Sequence, residues 1–190
     1  LGDVYKRQAG TTINQLSDED NQQKQSTFHI SIFNDQKNTW HPPTLWIGLG
    51  CERNTSKELI EDSLKKFLKT NNLSPLSIAG FASVDLKKDE QAILKISKEN
   101  KWPIKFFTSE ELSTINVPNP SSIVLNEVGT PSVAEAACIL AAGEGSKLLK
   151  EKKIFKSIDS LKNGSGAVTI AVAESKNQYS PSMGEVHVIG

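Results

Sequence analysis

Apolar residues are sparse and irregular before position 45 and recur with clear periods after it. Leu45–Leu49 (LWIGL) is a short apolar run stopped by Gly50, the pattern of a buried strand. Leu59, Ile60, Ser63, Leu64, Phe67 and Leu68 follow at three- and four-residue spacing, which predicts an amphipathic helix over 56–70. Thr55-x-x-Glu58 has the spacing of a capping box at its start, and Asn71-Asn72 stops it. Ser77–Val84 (SIAGFASV) reads as a second strand, and Asp89–Asn100 as a helix with Ile93, Leu94 and Ile96 inward. Ile104–Phe107 is a third strand, and Ser109–Leu112 opens a turn of helix. Ser121–Val128 reads as a short helix or strand, with Gly129 fitting a helix C-cap. Pro131–Ala142 is a small-residue helix with Thr130 as N-cap and Pro131 at its first position. Lys147–Lys150 and Ala167–Ala173 (AVTIAVA) are late strands. Alternating strands and helices predict βαβ units with right-handed crossovers. The expected fold is an α/β, three-layer α/β/α sandwich on a largely parallel sheet, with the last two strands forming an antiparallel edge hairpin.

The flanks differ. Asn14–Gln25 has Leu16 as its single apolar residue and cannot offset its ordering entropy by burial. Leu1–Gln8 (LGDVYKRQ) resembles a translated sequencing adaptor and is left out of fold reasoning. Phe28–Phe33 (FHISIF) alternates as a strand does but has no visible partner, and residues 28–40 read as the tail of an upstream domain. Trp40–Pro43 reads as extended linker. The expected division is a disordered or linker region over 1–44, a domain over 45–174 and a polar linker over 175–183.

Charge and rare residues narrow the chemistry. Lys+Arg 22 against Asp+Glu 22 leaves no basic excess for nucleic acid or a membrane surface. No run approaches the roughly 18 apolar residues that cross a bilayer. Two cysteines, Cys51 and Cys138, without CxxC spacing make no disulfide framework, and reduced thiols in the cytoplasm are expected. The histidines are His29, His41 and His187, so none lies between Pro42 and Val186. A histidine-based nucleophile or a His-ligated metal cannot be built there, and no metal site is expected.

Ligands of parallel α/β sheets sit at the carboxyl ends of the strands, which selects three loops and a helix start. Gly48–Ser56 lacks the third glycine of a dinucleotide fingerprint, because Arg53 stands there. It reads either as an anion seat built from Gly50, Cys51, Arg53, Thr55 and Ser56 at a helix start, or as a tight strand-to-helix turn with ordinary caps. Cys51 could be a thiol of lowered pKa but, without a histidine partner, also reads as a packed side chain. Val84–Glu90 places Asp85 directly after a strand as ligand contact or general base, with Lys87 able to meet a carboxylate; the alternative is a solvated loop whose Asp89 caps the next helix. Thr108–Glu111 is the third loop. Gly129–Ala137 offers Thr130, Ser132 and Glu135 at the start of a helix, either as chemistry or as a well-chosen helix start. Lys150–Lys156 (KEKKIFK) reads as a solvated strand edge.

These stretches, taken together, resemble a family. GLGCERNTS, SVDLKKDE, FTSEEL, VPNPS at 117–121 and VGTPSVAEAA at 128–137 stand in the order and spacing of the C-terminal domain of the cobalamin-biosynthesis protein CbiG, the cobalt-precorrin-5A hydrolase, and the small protein CobE is similar. The resemblance covers about Leu45–Glu174. It implies a three-layer α/β sandwich and a reaction that opens the δ-lactone of a cobalt corrinoid and expels a two-carbon fragment as acetaldehyde. It further implies Asp85, Glu90 and Glu135 as candidate catalytic carboxylates, and Gly50, Cys51, Arg53, Thr55, Ser56, Lys87, Thr130 and Ser132 as candidate substrate contacts. Cobalt arrives with the substrate. Arg53, Asp85, Lys87, Ser132 and Glu135 are expected to face one cleft. Gly184–Gly190 (GEVHVIG) resembles the opening strand of a tetrapyrrole methyltransferase domain, implying a fused precorrin-3B C17-methyltransferase with which any S-adenosylmethionine would belong. The alternative is a corrinoid-binding or handover module without chemistry of its own.

Overall fold

A computed structural model describes residues 11–12, 27–34, 37–120, 132–157 and 166–176. Five strands form the main sheet: β4 (Leu45–Cys51), β5 (Ile78–Val84), β6 (Ile104–Phe107), β7 (Lys147–Lys156) and β8 (Ala167–Glu174), in the order β6-β5-β4-β8-β7. β4 pairs in parallel with β5 and β5 with β6, while β8 runs antiparallel to both β4 and β7. The final hairpin is therefore docked through β8 against the first strand of the domain. β7 runs well past the expected Lys150, to Lys156, with breaks in register between Leu148 and Lys153.

Alternation along the strands divides the core into two layers. Leu45, Ile47 and Leu49 of β4 join Val168, Ile170 and Val172 of β8 beneath α1 (Lys57–Thr70) and α2 (Gln91–Asn100). α1 contributes Leu59, Ile60, Leu64, Phe67 and Leu68, all buried, and α2 contributes Ile93 and Ile96. The opposite face carries Ala82 and Val84 of β5 with Ala171 and Ala173 of β8, covered by α3 (Ser109–Ser113) and α4 (Val133–Ala142). α4 can lie this close because its inner residues are Ala134, Ala137, Cys138 and Ala141, and because Gly48 faces it. Its C-terminus is closed by Lys105, whose Nζ donates to the Ala141 carbonyl at 2.9 Å and stands 4.2 Å from the centre of the Trp46 ring. The α/β/α layering and the hairpin agree with the pattern of the sequence.

Three local expectations are corrected. Ser56, not Thr55, caps α1, its Oγ accepting from the Leu59 amide at 3.2 Å, while Thr55 donates to the Glu52 carbonyl at 2.8 Å. Asp89 does not cap α2; Glu90 holds that position without a side-chain cap. α4 begins at Val133 with Ser132 as N-cap. Thr130 and Pro131, the Ser121–Gly129 element, Leu1–Gln8 and Gly184–Gly190 lie outside the described residues.

The FHISIF stretch does have partners. β2 (Thr27–Ile30) pairs antiparallel with β1 (Thr11–Thr12) and parallel with β3 (Thr39–Trp40). The residues that follow it dock on the domain: Ile32 is buried in the main core, and its carbonyl accepts from the Ser74 amide at 2.8 Å.

Candidate functional site

The first two loops meet, as adjacent parallel strands require of their carboxyl ends. Arg53 reaches across from the end of β4 and donates to Asp89 Oδ1 and to the Leu86 carbonyl, each at 2.5 Å. The pair holds the Arg53 guanidinium above its ordinary pKa and the Asp89 carboxyl below its own. Beside it, the Asn54 amide donates to Glu90 Oε2 at 3.4 Å. Asn54 stands at φ 59°, a left-handed conformation that asparagine tolerates, and this turns its amide toward the α2 side. The two helix starts thus enclose a cleft of about 430 Å³ lined by Arg53, Asn54, Lys57, Asp89, Glu90 and Lys95.

The expected anion seat is therefore occupied by the protein's own acids, Asp89 on Arg53 and Glu90 on the Asn54 amide. Ser56 and Thr55 are committed to local bonds. Cys51 is half-buried, and burial pushes its thiol up, opposed by the charge of Lys87. Asp85 opens a 3-10 turn (Asp85–Lys87) at the carboxyl end of β5; it is half-buried, and among the described residues its carboxylate has no hydrogen bond or ion pair. Leu86 in the same turn is 52% exposed, an apolar side chain at the rim.

Ser132 and Glu135 do not share this cleft, so the one-cleft expectation fails. They belong to the first turn of α4, on the other face of the sheet, and both are buried. The reason is the close packing of α4 on β4, which encloses that turn. Glu135 points sideways, its Oε1 accepting from Asn119 Nδ2 at 3.0 Å and from the Lys152 amide at 3.1 Å. Asn119 gives its second donor to Glu151 Oε2 at 2.9 Å, and its carbonyl accepts from Lys152 Nζ at 2.5 Å. Among the described residues, the other Glu135 oxygen, Oε2, and the Ser132 Oγ have no hydrogen-bond partner.

Ser132-x-x-Glu135 has capping-box spacing, yet neither arm closes. α4 forgoes the roughly 1 kcal/mol that a side-chain N-cap contributes. In α3 the same spacing, Thr108-x-x-Glu111, closes fully, with Glu111 Nα to Thr108 Oγ1 at 3.2 Å and Thr108 Nα to Glu111 Oε2 at 2.7 Å. Sequence reasoning missed Asn119 and Lys152 as partners of Glu135. Asn119 lies within the VPNPS stretch, which was the one available signal.

Residues 45–173 match the family model described as "Cobalamin synthesis G C-terminus". The chain is 33% identical over 134 residues to the cobalt-precorrin-5A hydrolase of Priestia megaterium, covering 70% of this chain and 33% of that protein. It is 32% identical over 110 residues to protein CobE of Sinorhizobium sp, covering 57% of this chain and 71% of that one. The crystal structure of CobE, a protein from the cobalamin (vitamin B12) biosynthetic pathway, superposes with a TM-score of 0.58 at 30% identity, covering 70% of this chain and 91% of its own. The chain spans about a third of the length of the hydrolase it matches. The match of the family model over the whole five-stranded domain, with the CobE fold beside it, places the chain in the cobalamin synthesis G C-terminus family.

Proposed function

We propose that residues 45–174 handle a cobalt-precorrin as part of a cobalt-precorrin-5A hydrolase-type protein, taking part in opening the corrinoid δ-lactone with loss of a two-carbon fragment as acetaldehyde. The observation that supports this reading is the convergence, at one carboxyl edge, of loops more than thirty residues apart, with Arg53 bonded to both Asp89 and the Leu86 carbonyl. A macrocycle bearing several carboxylates suits such a rim: Arg53 offers a planar fork, Lys87 a second charge, and the exposed Leu86 an apolar contact for the ring. A substrate carboxylate would compete with Asp89 for Arg53. Asp85 and Glu90 are the carboxylates beside this rim for proton transfer, whereas Glu135 is buried on the other face of the sheet. Cobalt belongs to the substrate, and no resident cofactor is assigned to residues 45–174. On the strength of Gly184–Gly190, the fused partner in this reading is a precorrin-3B C17-methyltransferase, to which S-adenosylmethionine belongs.

The test is to incubate the 190-residue chain with cobalt-precorrin-5A and follow both the corrinoid absorbance and acetaldehyde. A spectral shift with acetaldehyde release supports the hydrolase; neither a shift nor release ends the proposal. A shift without release favours a binding or handover module. One observation favours that second reading: the aligned residues make up 71% of CobE, so the domain accounts for most of that protein.

A further inference from the structure

The cleft between the starts of α1 and α2 is lined by three cations, Arg53, Lys57 and Lys95, against two carboxylates, Asp89 and Glu90. The cations are not equally free. Lys57 is held between Glu61 at 3.2 Å and Glu99 at 2.6 Å, which ties α1 to α2. Lys95 lies one turn along α2 from Gln91 and, among the described residues, makes no hydrogen bond or ion pair. Arg53 makes two contacts of different kinds. Its bond to the Leu86 carbonyl is to the backbone of the turn after β5, which fixes one edge of the guanidinium. Its bond to Asp89 is to a side chain that is 75% exposed and does not cap α2. Arg53 itself is 53% exposed, and an ion pair this open to water is held weakly. The Asp89 contact can therefore be exchanged without disturbing the fold, while the Leu86 contact keeps the guanidinium at the cleft wall.

We propose that Asp89 is the cleft's own occupant of a carboxylate seat: a carboxylate arm of the substrate displaces it from Arg53 and enters between Arg53 and Lys95, so that Asp89 sets how tightly the arm is held. This rests on the corrinoid reading above. At about 430 Å³ the cleft has room for a side arm and not for a whole tetrapyrrole, so the ring stays outside, at the rim where Leu86 is exposed. In the exchange one carboxylate replaces another on Arg53 Nη1, and Lys95 gains a partner that it lacks. While Arg53 is on Asp89 the seat is closed, so the apparent affinity for the arm falls by the fraction of time that Arg53 is free. The device selects for polycarboxylates. A small monocarboxylate must displace Asp89 with nothing else to hold it, whereas a macrocycle is also anchored outside the cleft and presents its arm at high effective concentration.

The experiment titrates the 190-residue chain with cobyrinic acid, a corrinoid with free carboxylates, and with its fully methylated ester, the same ring with every carboxylate masked. Asp89→Asn, Arg53→Gln, the double variant and Glu144→Gln are titrated alongside, with thermal unfolding of each. Glu144 is an exposed residue just beyond the C-terminus of α4, so Glu144→Gln changes the net charge equally, away from the cleft. Asp89→Asn is expected to tighten the acid about fourfold and leave the ester unmoved, the modest factor expected of an exposed competitor. Arg53→Gln is expected to weaken the acid about tenfold. In the double variant the Asp89 gain should shrink, because the competitor then has no shared partner. An acid affinity unmoved by Asp89→Asn, or raised as much by Glu144→Gln, overturns the proposal. So does a gain of the same size with and without Arg53. Equal binding of acid and ester overturns the seat while the corrinoid reading stands. An unaltered chain that binds neither corrinoid fails that reading instead, and citrate, titrated into the same variants, then decides the seat: tightening by Asp89→Asn that depends on Arg53 upholds it, and its absence overturns it.

Discussion

The Cβ that alanine would add at Gly48 lies 1.8 Å from the Ala134 carbonyl oxygen, which is backbone and cannot yield. Gly48→Ala is therefore expected to lower stability by about 3 kcal/mol or more, by forcing α4 off the sheet, as urea unfolding would measure. Gly50, two residues on, gives the opposite expectation. A Cβ there meets Thr169 at 3.6 Å, an ordinary contact, so Gly50→Ala should change stability by less than about 1 kcal/mol. A loss of corrinoid binding in that variant at unchanged stability would assign the small residue to the ligand. The cysteines argue at the same scale. Burial, reinforced by Glu135, pushes the Cys138 thiol far above its ordinary value of 9.0, and burial raises Cys51 against the opposing charge of Lys87. A group whose folded pKa is raised contributes stability that is fully present below its unfolded pKa and is lost as pH rises beyond it. Stability should thus hold from pH 7 to about 8 and decline above pH 9, and Cys138→Ala should flatten that decline; urea midpoints between pH 7 and 10 check both.

Three Ser/Thr-x-x-Glu spacings occur at helix starts, and they behave in three ways. Thr108 and Glu111 close a full box, Thr55 yields its place to Ser56, and Ser132 and Glu135 leave theirs open. Thr108→Ala should cost about 1 kcal/mol, whereas Ser132→Ala should stay within about 0.5 kcal/mol, because its Oγ makes no bond among the described residues. Equal losses in denaturant unfolding would mean that Ser132 caps its helix in solution. The comparison marks how far the sequence was legible. Periodicity sufficed for α1, α2, β4, β5 and β8, which are well buried, but not for the length of β7, none of whose residues is buried. The meeting of Arg53 with the Leu86–Asp89 loop followed from parallel strands placing their ends side by side. The position of Glu135 was not legible: its partners Asn119 and Lys152 are 16 and 17 residues away, and no local spacing encodes that contact. The same deficit put Ser132 and Glu135 in the wrong cleft, since the side of the sheet that a helix covers depends on packing and not on the helix's own pattern.

At the scale of the whole molecule, the question is where the folded unit begins. Composition places its start at Leu45, yet the chain just upstream is built into the core. Ile32 belongs to the same core cluster as Phe67, Leu68 and Leu73, the Asn34 amide donates to the Asn72 carbonyl at 3.0 Å, and Phe33 bridges to Leu73. The alternation of FHISIF signalled a strand, but its partners were hidden: Thr11–Thr12 borders a polar tract, and Thr39–Trp40 runs into prolines. The docked segment covers the turn after α1, where the left-handed Asn72 leads into the buried Leu73. Removing it takes Ile32 out of the core cluster and strips the Ser74 amide of its acceptor. Ile32→Ala should therefore cost about 2 kcal/mol, and a chain beginning at residue 45 should lose more than that relative to one beginning at residue 27. Urea unfolding of the two chains decides the matter. Equal midpoints would return the boundary to Leu45 and make the docked segment an ornament of the surface, whereas a lower midpoint for the shorter chain would make residues 31–34 part of the fold that holds the α1–β5 turn in place.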